Sequence, residues 1–159
     1  MIDILRILEQ DSTIPPEKIA VMVNKPVEEV KATIADLVKN KVIRRYKAVV
    51  DWEKTDVKKV SAFIDVKVSP SRGVGFDDVA ERIYRFPEVR SVYLVSGEYD
   101  LRVIVEGEDI KQIAFFVSDK LATIERVEST ASHFMLKKYK EDNEVFEEPD
   151  EDRRLVVSP

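Results

Sequence analysis

Near the N-terminus, apolar residues recur at helical spacing in three successive segments of the chain. The clearest stripe consists of Val27, Val30, Ile34, Leu37 and Val38. These positions share one face of a helix, which is typical of a helix packed on a small core. An Asn-Lys-Pro turn at residues 24–26 precedes this stripe, and Asn tolerates the left-handed backbone of a tight turn. Three short helices with such a turn before the third predict a helix-turn-helix.

The pattern changes after the third predicted helix. Residues 42–51 alternate and are rich in β-forming side chains, which predicts a strand that forms a wing. Residues 52–59 are polar and charged, which indicates a hinge. The sequence therefore predicts a winged helix-turn-helix DNA-binding domain over residues 1–51, followed by a hinge over 52–59.

From residue 60 to residue 140, strand and helix patterns follow each other in the order β-α-β-β-α-β. The last strand is predicted to span residues 127–139, and a loop marked by Gly73 and Gly75 follows the first strand. This order predicts an α+β, ferredoxin-like domain with both helices on one face of a four-stranded sheet. Phe63 lies opposite the core side of the first strand, so the second face is partly apolar, and we expect a second copy to cover it.

Composition refines this picture. Of the 159 residues, 44% are hydrophobic and 36% are charged, which is enough apolar material for a folded core. The net charge of −5 is unevenly distributed: +2 over residues 1–60, −1 over 61–140 and −6 over 141–159. The basic excess lies in the predicted DNA-binding domain, and the acidic residues 141–159 are predicted to form a flexible tail.

Several function classes are disfavoured. The chain has no Cys and a single His, His133, which lies in an alternating strand and is predicted to be a sheet or interface residue. No metal-ligating cluster and no glycine-rich phosphate loop is visible, so no catalytic residue, metal or cofactor is expected. With no apolar run near about 18 residues and no leader pattern, a cytoplasmic protein away from the membrane is expected.

Basic and polar residues cluster on and after the third predicted helix. The candidates for DNA contact are Lys31, Thr33, Lys39, Lys41, Arg44, Arg45 and Lys47. Cations suit phosphates, and Lys31 and Thr33 are the candidates for base edges. Glu28, Glu29 and Asp36 lie on the outer side of the same helix and would repel phosphate. The alternative is that the basic residues form an ordinary solvated surface.

The two-domain order resembles the Lrp/AsnC (feast/famine) family of bacterial and archaeal regulators over about residues 1–140. The segments that carry the resemblance are the turn at residues 20–26, the helix exit at 37–43, the hairpin at 95–101 with its Ser-Gly-Glu-Tyr-Asp sequence, and the last strand at 127–132 and 136–140. Such proteins usually have Gly where Asn24 and Lys41 stand, and an Arg near Thr33.

The resemblance implies a sensor domain that binds free amino acids between dimers. It also implies a homodimer that binds double-stranded DNA and can assemble further into tetramers or octamers. The candidate effector-binding residues are Ser96, Gly97, Tyr99, Asp100, Thr130 and Ser132. A tight turn at Gly97 exposes N–H groups to a carboxylate, Asp100 suits an α-ammonium, and Thr130 and Ser132 offer hydroxyls. The alternative is that Gly97 and Asp100 are only turn residues.

Two other functions stay open at this point. The chain resembles siroheme decarboxylases in layout, which would make it an enzyme that uses the same scaffold. Alternatively, Glu28 and Glu29 indicate a sensor or interaction module whose DNA binding is weakened.

Overall fold

The computed structural model of the chain describes residues 1–69 and 75–147. It divides the chain into two compact units, Met1–Ala48 and Val49–Pro159. The predicted loop around Gly73 and the last part of the predicted tail, residues 148–159, lie outside the described residues.

The first unit consists of three helices around a small apolar core. They are α1 (Ile2–Gln10), α2 (Pro16–Met22) and α3 (Val27–Lys39). The fully buried core residues are Ile4, Ile19, Ala20 and Val30. Each helix contributes to this core, because each carries apolar residues at helical spacing. The structure therefore confirms the predicted three-helix arrangement.

The turn between α2 and α3 begins with a left-handed residue. Asn24 has φ 50°. Its N–H donates to the Val21 carbonyl at 3.3 Å, and the Lys25 N–H donates to the Ala20 carbonyl at 3.0 Å. This pair of bonds is a Schellman motif, which satisfies carbonyls at a helix end and requires a left-handed residue after the cap.

Helix α3 ends in the same way, but with a lysine in the left-handed position. Lys41 has φ 58°. Its N–H donates to the Val38 carbonyl at 3.0 Å, and the Val42 N–H donates to the Leu37 carbonyl at 2.9 Å. A side chain with a Cβ is strained in this conformation, which glycine adopts at little cost.

The predicted wing strand over residues 42–51 differs from the structure. Residues 44–50 are in neither a helix nor a strand, and Tyr46, Val49 and Val50 are exposed. A strand requires a neighbour for its backbone hydrogen bonds. None of the described strands pairs with this segment, so its β-forming composition alone does not produce a strand.

The second unit is a β-α-β-β-α-β domain. Its elements are β1 (Val60–Val68), α4 (Asp77–Tyr84), β2 (Val89–Leu94), β3 (Leu101–Gly107), α5 (Ile110–Phe116) and β4 (Val127–Phe134). The sheet order is β2-β3-β1-β4, and all neighbouring strands are antiparallel. The predicted α+β, ferredoxin-like fold is confirmed.

Both helices cover the same face of this sheet. Val79 and Ile83 from α4, and Ile113 and Phe116 from α5, belong to one buried cluster with alternate residues of β1 and β3. The strand residues are Ala62, Ile64, Val66, Val68, Leu101, Val103 and Val105. Alternation on the strands places their neighbours on the other face.

The opposite face, here called the open face, carries Phe63, Asp65 and Lys67 of β1 with their cross-strand neighbours. Asp65 is only 5% exposed. Its two carboxylate oxygens accept hydrogen bonds from Arg102 at 2.7 and 2.9 Å, and His133 Nε2 lies 3.5 Å from Oδ2. The Arg102 hydrogen bonds lower the pKa of Asp65 below its ordinary value.

The C-terminal part differs from the prediction in two ways. Strand β4 ends at Phe134 rather than at residue 139. A second hairpin follows, in which β5 (Lys140–Glu141) pairs with β6 (Glu144–Val145). Asp142 and Asn143 connect them with φ 48° and 69°, the signature of a type I′ turn. The prediction that the whole segment 141–159 is a flexible tail is therefore wrong for residues 141–145.

Candidate functional sites

The two predicted base-contacting residues on α3 both make contacts within the chain. Lys31 Nζ lies 3.0 Å from a Glu17 carboxylate oxygen and 3.6 Å from one of Glu28. The hydrogen bond to Glu17 raises the pKa of Lys31. The Thr33 hydroxyl donates to the Glu29 carbonyl at 2.8 Å, so it has only acceptor capacity left for a base edge.

The remaining predicted DNA contacts follow one another along the chain. Lys39, Lys41, Arg44, Arg45 and Lys47 are all exposed. They lie at the end of α3 and in the irregular segment after it. Exposed cations in such a run provide the sequence-independent attraction that phosphates need.

The predicted effector turn connects β2 and β3. The Val95 N–H donates to the Asp100 carbonyl at 2.9 Å, which closes the turn. Gly97 has φ 129°, a conformation that side chains with a Cβ rarely adopt. Among the hydrogen bonds between described residues, none is donated by the backbone N–H groups of residues 96–99. A run of N–H groups in a turn that donate to no described residue is suited to an anion such as a carboxylate.

Asp100 connects this turn to the middle of the sheet. Its Oδ2 atom accepts a hydrogen bond from the Val68 N–H at 2.9 Å and lies 3.5 Å from Lys67 Nζ. Its own N–H donates to the Val66 carbonyl at 3.0 Å. One of its carboxylate oxygens therefore already has partners in β1.

Thr130 and Ser132 lie on the other side of β1 from the turn. Thr130 is paired with Val66, which is paired on its other side with Leu101. Two strand spacings, about 10 Å, separate Thr130 from Leu101. A single chain therefore does not bring these hydroxyls next to the residues of the turn.

One residue near this site was missed by the sequence analysis. Lys67 Nζ donates to the Glu98 carbonyl at 2.7 Å, in addition to its ion pair with Asp100. In the sequence, Lys67 is one polar residue of an alternating strand, 31 positions before Glu98. No local pattern indicates this contact, which depends on the pairing of β1 with β3.

Metal binding and membrane insertion are two other properties on which the described residues give information. Within them, no group of three His, Asp or Glu side chains is arranged to hold a metal ion. In the same part of the chain, no helix combines the length and apolar character needed to cross a bilayer. His133 lies on the open face beside Asp65.

Comparisons with known proteins agree with this architecture. Residues 61–145 match the model of the Lrp/AsnC ligand binding domain. The chain is 57% identical to the HTH-type transcriptional regulator YugG of Bacillus subtilis over 158 residues, 99% of this chain and 95% of the relative. The helix-turn-helix unit, the ferredoxin-like unit and this relative define a DNA-binding transcriptional regulator and not an enzyme.

Solved structures share the fold. A feast or famine regulatory protein of Mycobacterium tuberculosis, complexed with L-methionine, has a TM-score of 0.74 at 22% identity and covers 89% of this chain and 92% of its own. A transcriptional regulator of Neisseria meningitidis, in complex with L-methionine, has a TM-score of 0.68 at 23% identity and covers 93% of both chains. The chain belongs to the Lrp/AsnC family of transcriptional regulators.

Proposed function

We propose that this regulator responds to an amino acid, which binds through its carboxylate to the backbone N–H groups of residues 96–99. The observation that carries the proposal is that these N–H groups donate no hydrogen bond to any described residue. Oriented backbone N–H groups attract anions without needing a cationic side chain. The two methionine complexes with the same fold support an amino acid as the ligand.

The site is completed by a second copy of the chain. Thr130 and Ser132 lie across β1 from the turn and share the helix side of the sheet with Val66 and Ile64. Their hydroxyls therefore reach an amino acid only from a neighbouring subunit that does not pack on the open face of the sheet. Tyr99 and Asp100 contribute from the same chain as Gly97, with the second carboxylate oxygen of Asp100 facing the α-ammonium. Binding between subunits links the effector to assembly, because a ligand that contacts two copies stabilises their association.

Dimerisation uses the open face of the sheet. Phe63, Ile104 and Met135 are half-buried in the single chain and lie on the side without helices. Covering them removes apolar surface from water, which favours association. Such dimers assemble further into tetramers or octamers, and each presents two helix-turn-helix units to a pseudo-palindromic DNA site in the cytoplasm.

On DNA, the exposed cations at the end of α3 and after it contact phosphates. Lys39, Lys41, Arg44, Arg45 and Lys47 have this role in the proposal. Thr33 accepts a hydrogen bond from a base edge. Lys31 reaches a base only after it leaves Glu17, which makes its contact the more costly of the two.

The test is a calorimetric titration of the purified protein with each of the twenty amino acids, L-methionine first. Binding of one or a few of them, together with a change in assembly or DNA affinity, supports the proposal. A ligand that binds the folded protein also raises the unfolding midpoint, which provides a second readout. If no amino acid binds at millimolar concentration, the effector part of the proposal is wrong.

A second candidate is a sensor whose DNA binding is weakened. The observation that favours it is that two lysines of the helix-turn-helix already form ion pairs within the chain. Lys25 is paired with Glu29, and Lys31 is paired with Glu17 and Glu28. The salt dependence of DNA binding separates the two candidates. Phosphate contacts give a logarithmic affinity that falls steeply with the logarithm of salt concentration, whereas a weakened unit gives little binding at any salt concentration.

A further inference from the structure

The side chain of Lys67, on the inner strand β1, reaches both ends of the Glu98–Asp100 segment. Its ammonium donates to the Glu98 carbonyl at 2.7 Å and lies 3.5 Å from Asp100 Oδ2. The neighbouring Val68 N–H donates to the same carboxylate oxygen at 2.9 Å. Two successive residues of β1 therefore hold the far side of a turn that belongs to β2 and β3.

The bond to Glu98 has a geometric consequence for the next amide. A trans peptide unit is planar, and its C=O and N–H point in opposite directions. With the Glu98 carbonyl held toward the Lys67 ammonium, the N–H of Tyr99 is directed away from that ammonium. Lys67 thus fixes the orientation of one N–H group in the run at residues 96–99 without contacting it.

The same bond limits the freedom of an exposed turn. Ser96, Gly97 and Glu98 are exposed, and Gly97 gives the backbone a wide range of conformations. A binding site that must be ordered by its ligand loses affinity to that ordering, so a restraint present before binding strengthens it. Lys67 provides this restraint from outside the turn.

We infer that Lys67 is a positioning residue of the effector site, which holds the 95–100 turn in its carboxylate-binding conformation. The inference rests on the proposed function of this turn. The role of Lys67 differs from that of the turn residues, because Lys67 acts through the Glu98 carbonyl and the Asp100 carboxylate and not through a contact with the amino acid.

The test compares three variants with the wild-type chain. Lys67→Met removes the ammonium and keeps the aliphatic stem, Lys67→Arg keeps a cation that can bond the same carbonyl, and Lys111→Met removes an exposed lysine of α5 as the control. Calorimetry measures the affinity for L-methionine and for any other of the twenty amino acids that binds the wild type. Amide hydrogen exchange of Val68 and Asp100 without ligand measures the restraint directly, because the Val68 N–H donates to the Asp100 carboxylate and the Asp100 N–H donates to the Val66 carbonyl.

The expected result is that Lys67→Met weakens binding about tenfold and speeds exchange at Val68 and Asp100, whereas Lys67→Arg and Lys111→Met stay close to the wild type. Equal affinity in Lys67→Met and wild type overturns the inference. So does weaker binding with unchanged exchange, because Lys67 would then contact the amino acid itself.

Failure of the proposed function gives a different result. If the wild type binds none of the twenty amino acids, the effector proposal is wrong. The exchange measurement then decides on Lys67 alone: faster exchange in Lys67→Met supports its restraint on the turn, and unchanged exchange overturns it.

Discussion

Replacing Lys41 by glycine is expected to stabilise the helix-turn-helix unit. Lys41 occupies the left-handed position of the Schellman motif that ends α3, with φ 58°. This backbone costs a residue with a Cβ about 1 kcal/mol or slightly more, whereas glycine adopts it with little strain. Glycine has more freedom in the unfolded chain, which opposes the gain by about 0.5 kcal/mol.

The net effect of Lys41→Gly is a gain of about 0.5 to 1 kcal/mol in the free energy of unfolding. In a chain of this size, that corresponds to a rise of about 1 to 4 °C in the melting temperature. Urea unfolding followed by circular dichroism measures the change in free energy, because the signal reports helix content, to which the three helices of the first unit contribute. Asn24→Gly should gain less, since Asn tolerates the left-handed conformation better than Lys.

Lys41→Ala is the matched control, because it removes the same charge but keeps the Cβ. It should show no gain in stability, and its DNA affinity should fall as much as that of Lys41→Gly if Lys41 contacts phosphate. A gain in Lys41→Ala equal to that in Lys41→Gly would mean that the charge, and not the backbone, destabilises this position. A lower midpoint in Lys41→Gly would refute the strain argument.

Three further changes have defined outcomes. Gly97→Ala places a Cβ at φ 129°, so it should destabilise the turn by about 1 kcal/mol and lower effector affinity. An effector affinity measured by calorimetry and a melting temperature both equal to those of the wild type would contradict this. Asp65 has a lowered pKa, so its pair with Arg102 stabilises the fold fully above the unfolded pKa of about 4 and is lost as the pH falls through the lower folded pKa. Acid unfolding of Asp65→Asn should therefore be less steep than that of the wild type, and an equal slope would exclude this contribution. Replacing Arg44 and Arg45 by Ala should weaken DNA binding on all sequences and reduce the slope of log affinity against log salt concentration by about 2. If band-shift titrations give the same slope for the variant and the wild type, these two residues do not contact phosphates.

The helices and the sheet could be predicted because each follows from a local pattern. Val30 and Leu37 lie on the same face of a helix, two turns apart, and Ala62, Ile64 and Val66 alternate along a strand; the structure buries all five. The predictions that were wrong concern elements that depend on more than the local pattern of apolar and polar residues. A wing strand at residues 42–51 requires a pairing partner, and the hairpin at 140–145 depends on an Asp-Asn turn within an acidic sequence that is also typical of disorder.

The candidate site could be predicted in part for the same reason. Gly97 in a turn between two strands is a local signal. The contact of Lys67 with Glu98 and the bond from Val68 to Asp100 join residues about 30 positions apart. These contacts depend on the register of β1 with β3, which the sequence of either strand alone does not determine.

The ion pair between the buried Asp65 and the exposed Arg102 affects which surfaces can cover the open face of the sheet. Arg102 has five N–H donors, and its bonds to Asp65 involve only Nε and Nη2. A partner that covers this face with apolar side chains alone would leave the remaining donors without water or acceptors, which is costly. A surface that covers this face without that cost must bring hydrogen-bond acceptors to the Arg102 guanidinium. The Asp65–Arg102 pair therefore disfavours association of this face with surfaces that carry no hydrogen-bond acceptors.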